Sequence, residues 1–103
     1  MAKTMSNRST AARALAGAIR AALATTTANC LYSDFGLDPV FDRPQVRTAI
    51  RDDSELRRIH WLAESYFSEL AHGDPKINGL EPDEARKQIV ELLEWLDAAG
   101  EAS

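Results

Sequence analysis

The longest amphipathic pattern in the chain runs from Asp42 to His72. On a wheel of about 100° per residue, Leu56, Ile59, Ala63, Tyr66, Phe67 and Leu70 gather on one side, a stripe wide enough to face a core. Val46, Ala49 and Ile50 form an apolar stripe too, but it is rotated by roughly a quarter to a third of a turn. Either one long helix wraps around its partners, or two helices meet at Asp52-Asp53-Ser54, the second capped by Asp53 or Ser54. At the front, Asp42 as cap, Gln45 three residues on to bond back and Pro44 in the first turn predict a start near Arg43.

Earlier in the chain, Ser9 or Thr10 caps a helix whose face carries Leu15, Ile19 and Leu23, flanked by Ala12, Ala16 and Ala22. Ala11, Ala14, Ala18 and Ala21 make a second smooth surface, suited to close helix packing within the domain or across a dimer. The favoured reading carries this helix through Thr25-Thr26-Thr27 to Phe35, with Gly36 as left-handed terminator. Leu31, Tyr32, Phe35, Leu37, Val40 and Phe41 make the next segment too apolar for an exposed linker, so it folds onto the core with a short helical turn at Asp38-Pro39. GDPKINGLEP, after His72, reads as a loop. A last helix starts at Pro82, with Leu80 placed to staple on Ala85 and with acids at its positive end. It buries Ala85, Ile89, Leu92, Leu93 and Leu96, holds Trp95 at the flank, and ends before Gly100.

No run of alternating β-branched residues appears, and alanine dominates, so the expected class is all-α: a small bundle of three to five helices with one long central helix, that of residues 42–72. The 103 residues, 45% of them apolar, suit one domain over residues 9–99, between a flexible N-terminus at 1–8 and a flexible C-terminus at 100–103. Three or so helices of this size leave much alanine-rich surface, which makes a homodimer an expectation as well.

The polar side of the central stretch is its most informative feature. Arg43, Arg47 and Arg51 follow at i, i+4 and i+8, and in an unbroken helix Ser54, Arg58, Trp61 and Ser65 continue the line with no acid on it. Arginine forks grip phosphates or carboxylates, and tryptophan offers a flat face for a base or another side chain. Arg13 and Arg20, seven apart on the first helix, extend the row if the two helices lie side by side. The competing reading is structural: the arginines pair with Asp53, Glu55 and Glu64, and another helix covers Trp61.

Charge is unevenly spread. Residues 1–33 carry four bases and no acid, residues 34–63 five arginines against six acids, and residues 64–103 three bases against ten acids, within a total of −4. A basic first helix packed on an acidic last one explains this internally; partners of opposite sign at opposite ends explain it otherwise. A lone Cys30 excludes an intramolecular disulfide and makes a cytoplasmic location the default expectation. No apolar stretch approaches the length of a membrane span, the best candidate being interrupted by Arg20.

Chemical motifs are weak. The segment from Asp74 to Gly79 resembles part of a calcium-binding EF-hand loop, but Lys76 and Ala85 stand where ligands are needed. Glu69 and His72 give one Glu-x-x-His step where a di-iron bundle needs two. His60 with Glu64 makes a surface pair, and Cys30 with His60 lacks an orienting third group. The expectation is a non-enzymatic protein without cofactor or metal. Its row of Arg43, Arg47, Arg51, Arg58 and Trp61, with Arg13 and Arg20, engages nucleic acid, mainly single-stranded, or a nucleoprotein complex. In size and composition alone the chain also resembles the small, acidic, all-helical inhibitors carried by phages, anti-CRISPR proteins among them. That resemblance implies a protein target, whose basic groove the acidic last helix or the central face would occupy.

Overall fold

A computed structural model describes residues 7–25 and 31–101. Among these residues five α-helices follow one another: α1 (Asn7–Ala24), α2 (Asp38–Phe41), α3 (Pro44–Asp52), α4 (Ser54–His72) and α5 (Pro82–Glu101), with a 3-10 turn at Tyr32–Phe35 before α2. The class is all-α. The long helix at the centre, however, is α1, which packs against every other helix and most extensively against α5. Its alanines explain this role. Ala11, Ala12, Ala16, Ala18 and Ala22 are all buried with Leu15 and Ile19, and small side chains bring neighbouring axes close; of the second smooth face, Ala11 and Ala18 are buried, Ala14 is half-buried and Ala21 is exposed.

Several boundaries differ from the sequence expectation. Asn7 and Arg8 already belong to α1, and Ser9 is no cap: it lies inside α1, buried, its hydroxyl donating across to the Ala99 carbonyl of α5 at 3.1 Å. That α1 runs on to Phe35 is corrected, since it stops at Ala24 and Leu31 is extended ahead of the separate 3-10 turn. Thr26, Thr27 and Cys30 lie outside the described residues, as do residues 1–6 and 102–103. Gly36, at φ 72°, does terminate that turn, which the Asp34 carboxylate closes by accepting the Leu31 amide. Phe35, Leu37 and Phe41 are buried as expected, but Leu31 is 68% exposed. Gly100 falls inside α5, not beyond it, because α5 continues to Glu101. A side chain there would collide with Arg13, whose Cγ lies 2.7 Å from where a Cβ would stand.

The stretch from Asp42 to His72 is two helices. Asp42 does not cap α3; it closes α2, and Arg43 in extended conformation precedes Pro44 without any side-chain cap. Asp53 adopts φ −122°, ψ 113° and makes the break, which lets Val46 and Ala49 on α3 and Leu56 and Ile59 on α4 all face the core despite the rotation between their stripes. One Asp53 oxygen accepts the amides of Glu55 and Leu56 at 2.9 and 3.2 Å, and the other takes Arg8 Nε at 2.6 Å. Partial burial works to raise the Asp53 pKa, yet the Arg8 bond and the two amides outweigh it and leave the carboxyl below its usual value. The charged form is therefore favoured by folding. Its contribution is fully present above the unfolded pKa of about 4 and is lost as the pH falls through the folded value. Asp53→Ala should cost about 0.5–2 kcal/mol at neutral pH as a lost cap. In urea titrations the gap between wild type and Asp53→Asn should close in acid; a gap independent of pH would show that the carboxylate charge contributes nothing.

Gly73, at φ 72°, ends α4, with the Asp74 amide bonding back to the Glu69 carbonyl. The segment compared with a calcium loop is a tight hairpin instead: Ile77 and Leu80 exchange backbone bonds at 2.9 Å around Asn78 (φ 53°) and Gly79 (φ 76°). Leu70, assigned to the buried stripe, is 41% exposed, and Leu62 takes its place in the core. No helix of the described residues is long and apolar enough to cross a membrane.

Candidate binding face around Trp61

Trp61 lies in the middle of α4, and helical spacing puts Glu64, Ser65 and Ser68 one and two turns after it on the same side. The residue is 63% exposed, so no helix of the described residues covers it. The 3-10 turn and α2 reach towards the indole from the side, because Phe35 and Phe41 anchor them: Phe35 meets Phe67 at 4.8 Å between ring centres, and Phe41 meets the His60 ring edge-on at 4.5 Å. Together Tyr32, Asp38, Trp61, Glu64, Ser65 and Ser68 line an open recess of about 360 Å³. Asp38 and Glu64 also line a second cleft, of about 290 Å³, whose other walls include Arg47, Arg51 and His60. The two hollows share this pair of acids as a common wall.

The arginines divide into three groups. Arg43 and Arg47 are exposed and have no ion-pair partner among the described residues. Arg51 pairs with its neighbour Asp52 at 3.0 Å and Arg58 with Glu55 at 3.5 Å, all four side chains more than half exposed, contacts that add little to stability and leave the guanidinium groups free to exchange partners. Arg13 and Arg20 do not extend the row. Both turn to α5, where Arg13 Nε donates to the Gly100 carbonyl at 2.9 Å and Arg20 pairs with Asp97. Packing of the basic first helix on the acidic last one thus accounts for part of the charge asymmetry. Asp53, expected among the partners of the row, is taken by Arg8, which also lies over Trp95 at 4.9 Å.

Within α4 the expected order of Ser54, Arg58, Trp61 and Ser65 holds, but the break at Asp53 separates it from α3. Between the α3 arginines and the indole stand Asp38 and Glu64. Their effect is felt by Tyr32, whose enclosed hydroxyl has its pKa pushed well up, first by burial and then by the negative charges of Asp38, Glu64 and Asp42. Glu64 was legible as a neighbour of Trp61 from its i+3 spacing; Tyr32 and Asp38 come from a distant segment, and no local pattern announces them.

His60 Nε2 meets Glu64 Oε2 at 3.4 Å, and the described residues hold no cluster of three or more His, Cys, Asp or Glu side chains arranged for an ion. Glu69, half of the Glu-x-x-His step, is occupied by Ser65 Oγ and the Asn78 amide, both at 2.9 Å, while His72 turns its Nδ1 to the Ser68 carbonyl. No protein-family model matches the chain, and neither the curated proteins nor the solved structures provide a match.

Proposed function

We propose that this protein is a non-catalytic binding protein that docks on a protein partner through the α3–α4 face, with Trp61 as its anchor. The observation that carries the reading is the position of Asp38 and Glu64 between an exposed indole and the arginines of α3. A strand of nucleic acid running from Arg47 to Trp61 would pass over two carboxylates, which repel phosphate. A protein surface carries both signs and can match such an alternation. Tryptophan and arginine are also the residue types that concentrate binding energy at protein interfaces. A regulatory or inhibitory role suits a small domain whose exposed features are a docking face and not a reactive centre.

Phosphate binding is the second reading, and one observation favours it: Arg47 and Arg51 line an open hollow with Pro44 and Thr48 whose walls carry no acid, and Arg43, next to Pro44 in the chain, is exposed. It predicts binding to single strands of about 16 nucleotides that weakens steeply between about 50 and 200 mM salt.

The test begins with capture from nuclease-treated host lysate and continues with the purified partner. Trp61→Ala should keep the fold and weaken the complex by about 30-fold or more, the scale of an interface hot spot of 2 kcal/mol. Val90→Ser, on the exposed side of α5, should leave it unchanged. Capture that persists in Trp61→Ala, or that vanishes with nuclease, defeats the protein-docking reading, and salt-sensitive oligonucleotide binding lost in Arg43→Ala/Arg47→Ala would replace it.

A further inference from the structure

The recess beside Trp61 combines features that a general contact surface does not need. Two aromatic side chains, two carboxylates and two hydroxyls converge on one hollow of about 360 Å³. Among the described residues Asp38 forms no ion pair, and the ionic neighbour of Glu64 is the imidazole of His60 at 3.4 Å. Arg47 and Arg51 line the adjoining cleft, neither within ion-pair distance of Asp38 or Glu64, and Arg51 is engaged with Asp52. The hollow is thus aromatic-walled, negative and short of a cation.

The geometry points to a subsite for a guanidinium group: an arginine side chain of the docked partner lies against the Trp61 indole in this recess, with its N–H groups directed to Asp38 and Glu64. This rests on the docking reading and names what the anchor receives. An aromatic face attracts a cation through its quadrupole, and a guanidinium stacks flat on it while its planar fork still reaches carboxylates. Lysine has a single strongly hydrated point charge and no plane to stack, so arginine is preferred. Phosphate and carboxylate ligands meet repulsion from both acids, and an apolar side chain would desolvate Asp38 and Glu64 without replacing their partners. The hydroxyls of Ser65 and Ser68 supply further acceptors on the same wall. Ser65 is already oriented, because its hydroxyl donates to Glu69 Oε1 at 2.9 Å, which leaves its oxygen to act as an acceptor.

The probe is acetyl-Gly-Arg-Gly-amide, with the citrulline peptide as an uncharged mimic of the same shape and the lysine peptide as a cation without the plane. Titrations of the full chain are followed by the indole N–H signal of Trp61, assigned with Trp61→Phe, and by the amides of residues 64–68. The arginine peptide should shift these signals saturably, and the citrulline and lysine peptides should bind at least 10-fold more weakly. Asp38→Asn and Glu64→Gln should each weaken the arginine peptide by about 10-fold, whereas Asp83→Asn on α5 should not. Equal response to citrulline, or indifference to both acid variants, overturns the subsite. With the captured partner the two ideas separate: loss of binding in Trp61→Ala but not in Asp38→Asn/Glu64→Gln keeps the docking face and removes the guanidinium subsite, and loss in neither removes both.

Discussion

Phe67→Ala should lower the unfolding free energy by about 3–5 kcal/mol, a large share of the roughly 5–15 kcal/mol available to a domain of this size. Phe67 is fully buried, and its ring ties the 3-10 turn to α4: it stacks at a tilt on Phe35, 4.8 Å away, and edge-on with its helix neighbour Tyr66 at 4.9 Å, on the same helix that carries Trp61. Truncation removes the transfer energy of the ring, opens a cavity that the surrounding helices close only in part, and deletes both ring pairs. Urea unfolding followed by circular dichroism should show a lower midpoint with an unchanged slope. A loss below about 1.5 kcal/mol would mean that the site collapses freely and that the ring does not set the packing. The consequence reaches the binding face. Phe35 and Tyr32 share one 3-10 turn, so the ring that anchors Phe35 also fixes Tyr32 as a wall of the Trp61 recess. Phe67→Leu, which keeps most of the volume, should fold and yet weaken the arginine peptide, because the turn loses its aromatic partner.

How much of this was legible in the sequence depends on the range of the contact. The apolar stripes of α1, α3, α4 and α5 follow from spacing alone, and so does the exposure of Trp61 opposite the α4 core face. The break at Asp53 was one of two readings, and the rotation between the stripes of Val46 and Leu56 is its physical cause. What local pattern could not show is where helices meet. Ser9 reads as a cap until α5 places the Ala99 carbonyl beside it, and Gly100 reads as a terminator until Arg13 is packed over it. The same limit applied to the arginine row. Spacing aligned Arg13, Arg20, Arg43 and Arg58 as equals, but α5 claims the first two, and Asp38, brought in by α2, stands between the α3 arginines and the indole, while Arg58 stays one turn from it on α4. Periodicity reports which side of a helix is polar, and only the fold decides which charges share that side.

The other large effect should come from Asn78→Ala, at roughly 2–3 kcal/mol: about 1–2 for holding alanine in the left-handed region and about 1 for the lost side-chain bond. Asn78 sits at φ 53° in the hairpin between α4 and α5, and its Nδ2 donates to the Leu62 carbonyl at 3.1 Å, tying the turn to the body of α4. Asn78→Gly separates the two terms, since glycine accepts the backbone conformation and loses only the side-chain bonds, the one to Leu62 and a longer one to Gln88 Oε1 at 3.5 Å. The expected order of stability is wild type, then Asn78→Gly, then Asn78→Ala, read from thermal or urea midpoints; alanine above glycine would contradict a left-handed residue at this position. The two variants should also differ at the binding face. The Asn78 amide donates to Glu69 Oε2, and the other oxygen of that carboxylate holds the Ser65 hydroxyl at the Trp61 recess. Glycine preserves that amide in place, so the recess should bind the arginine peptide as the wild type does. Alanine shifts the turn, frees Glu69 from one of its two partners and should loosen Ser65, which makes peptide affinity fall with stability in one variant and not in the other.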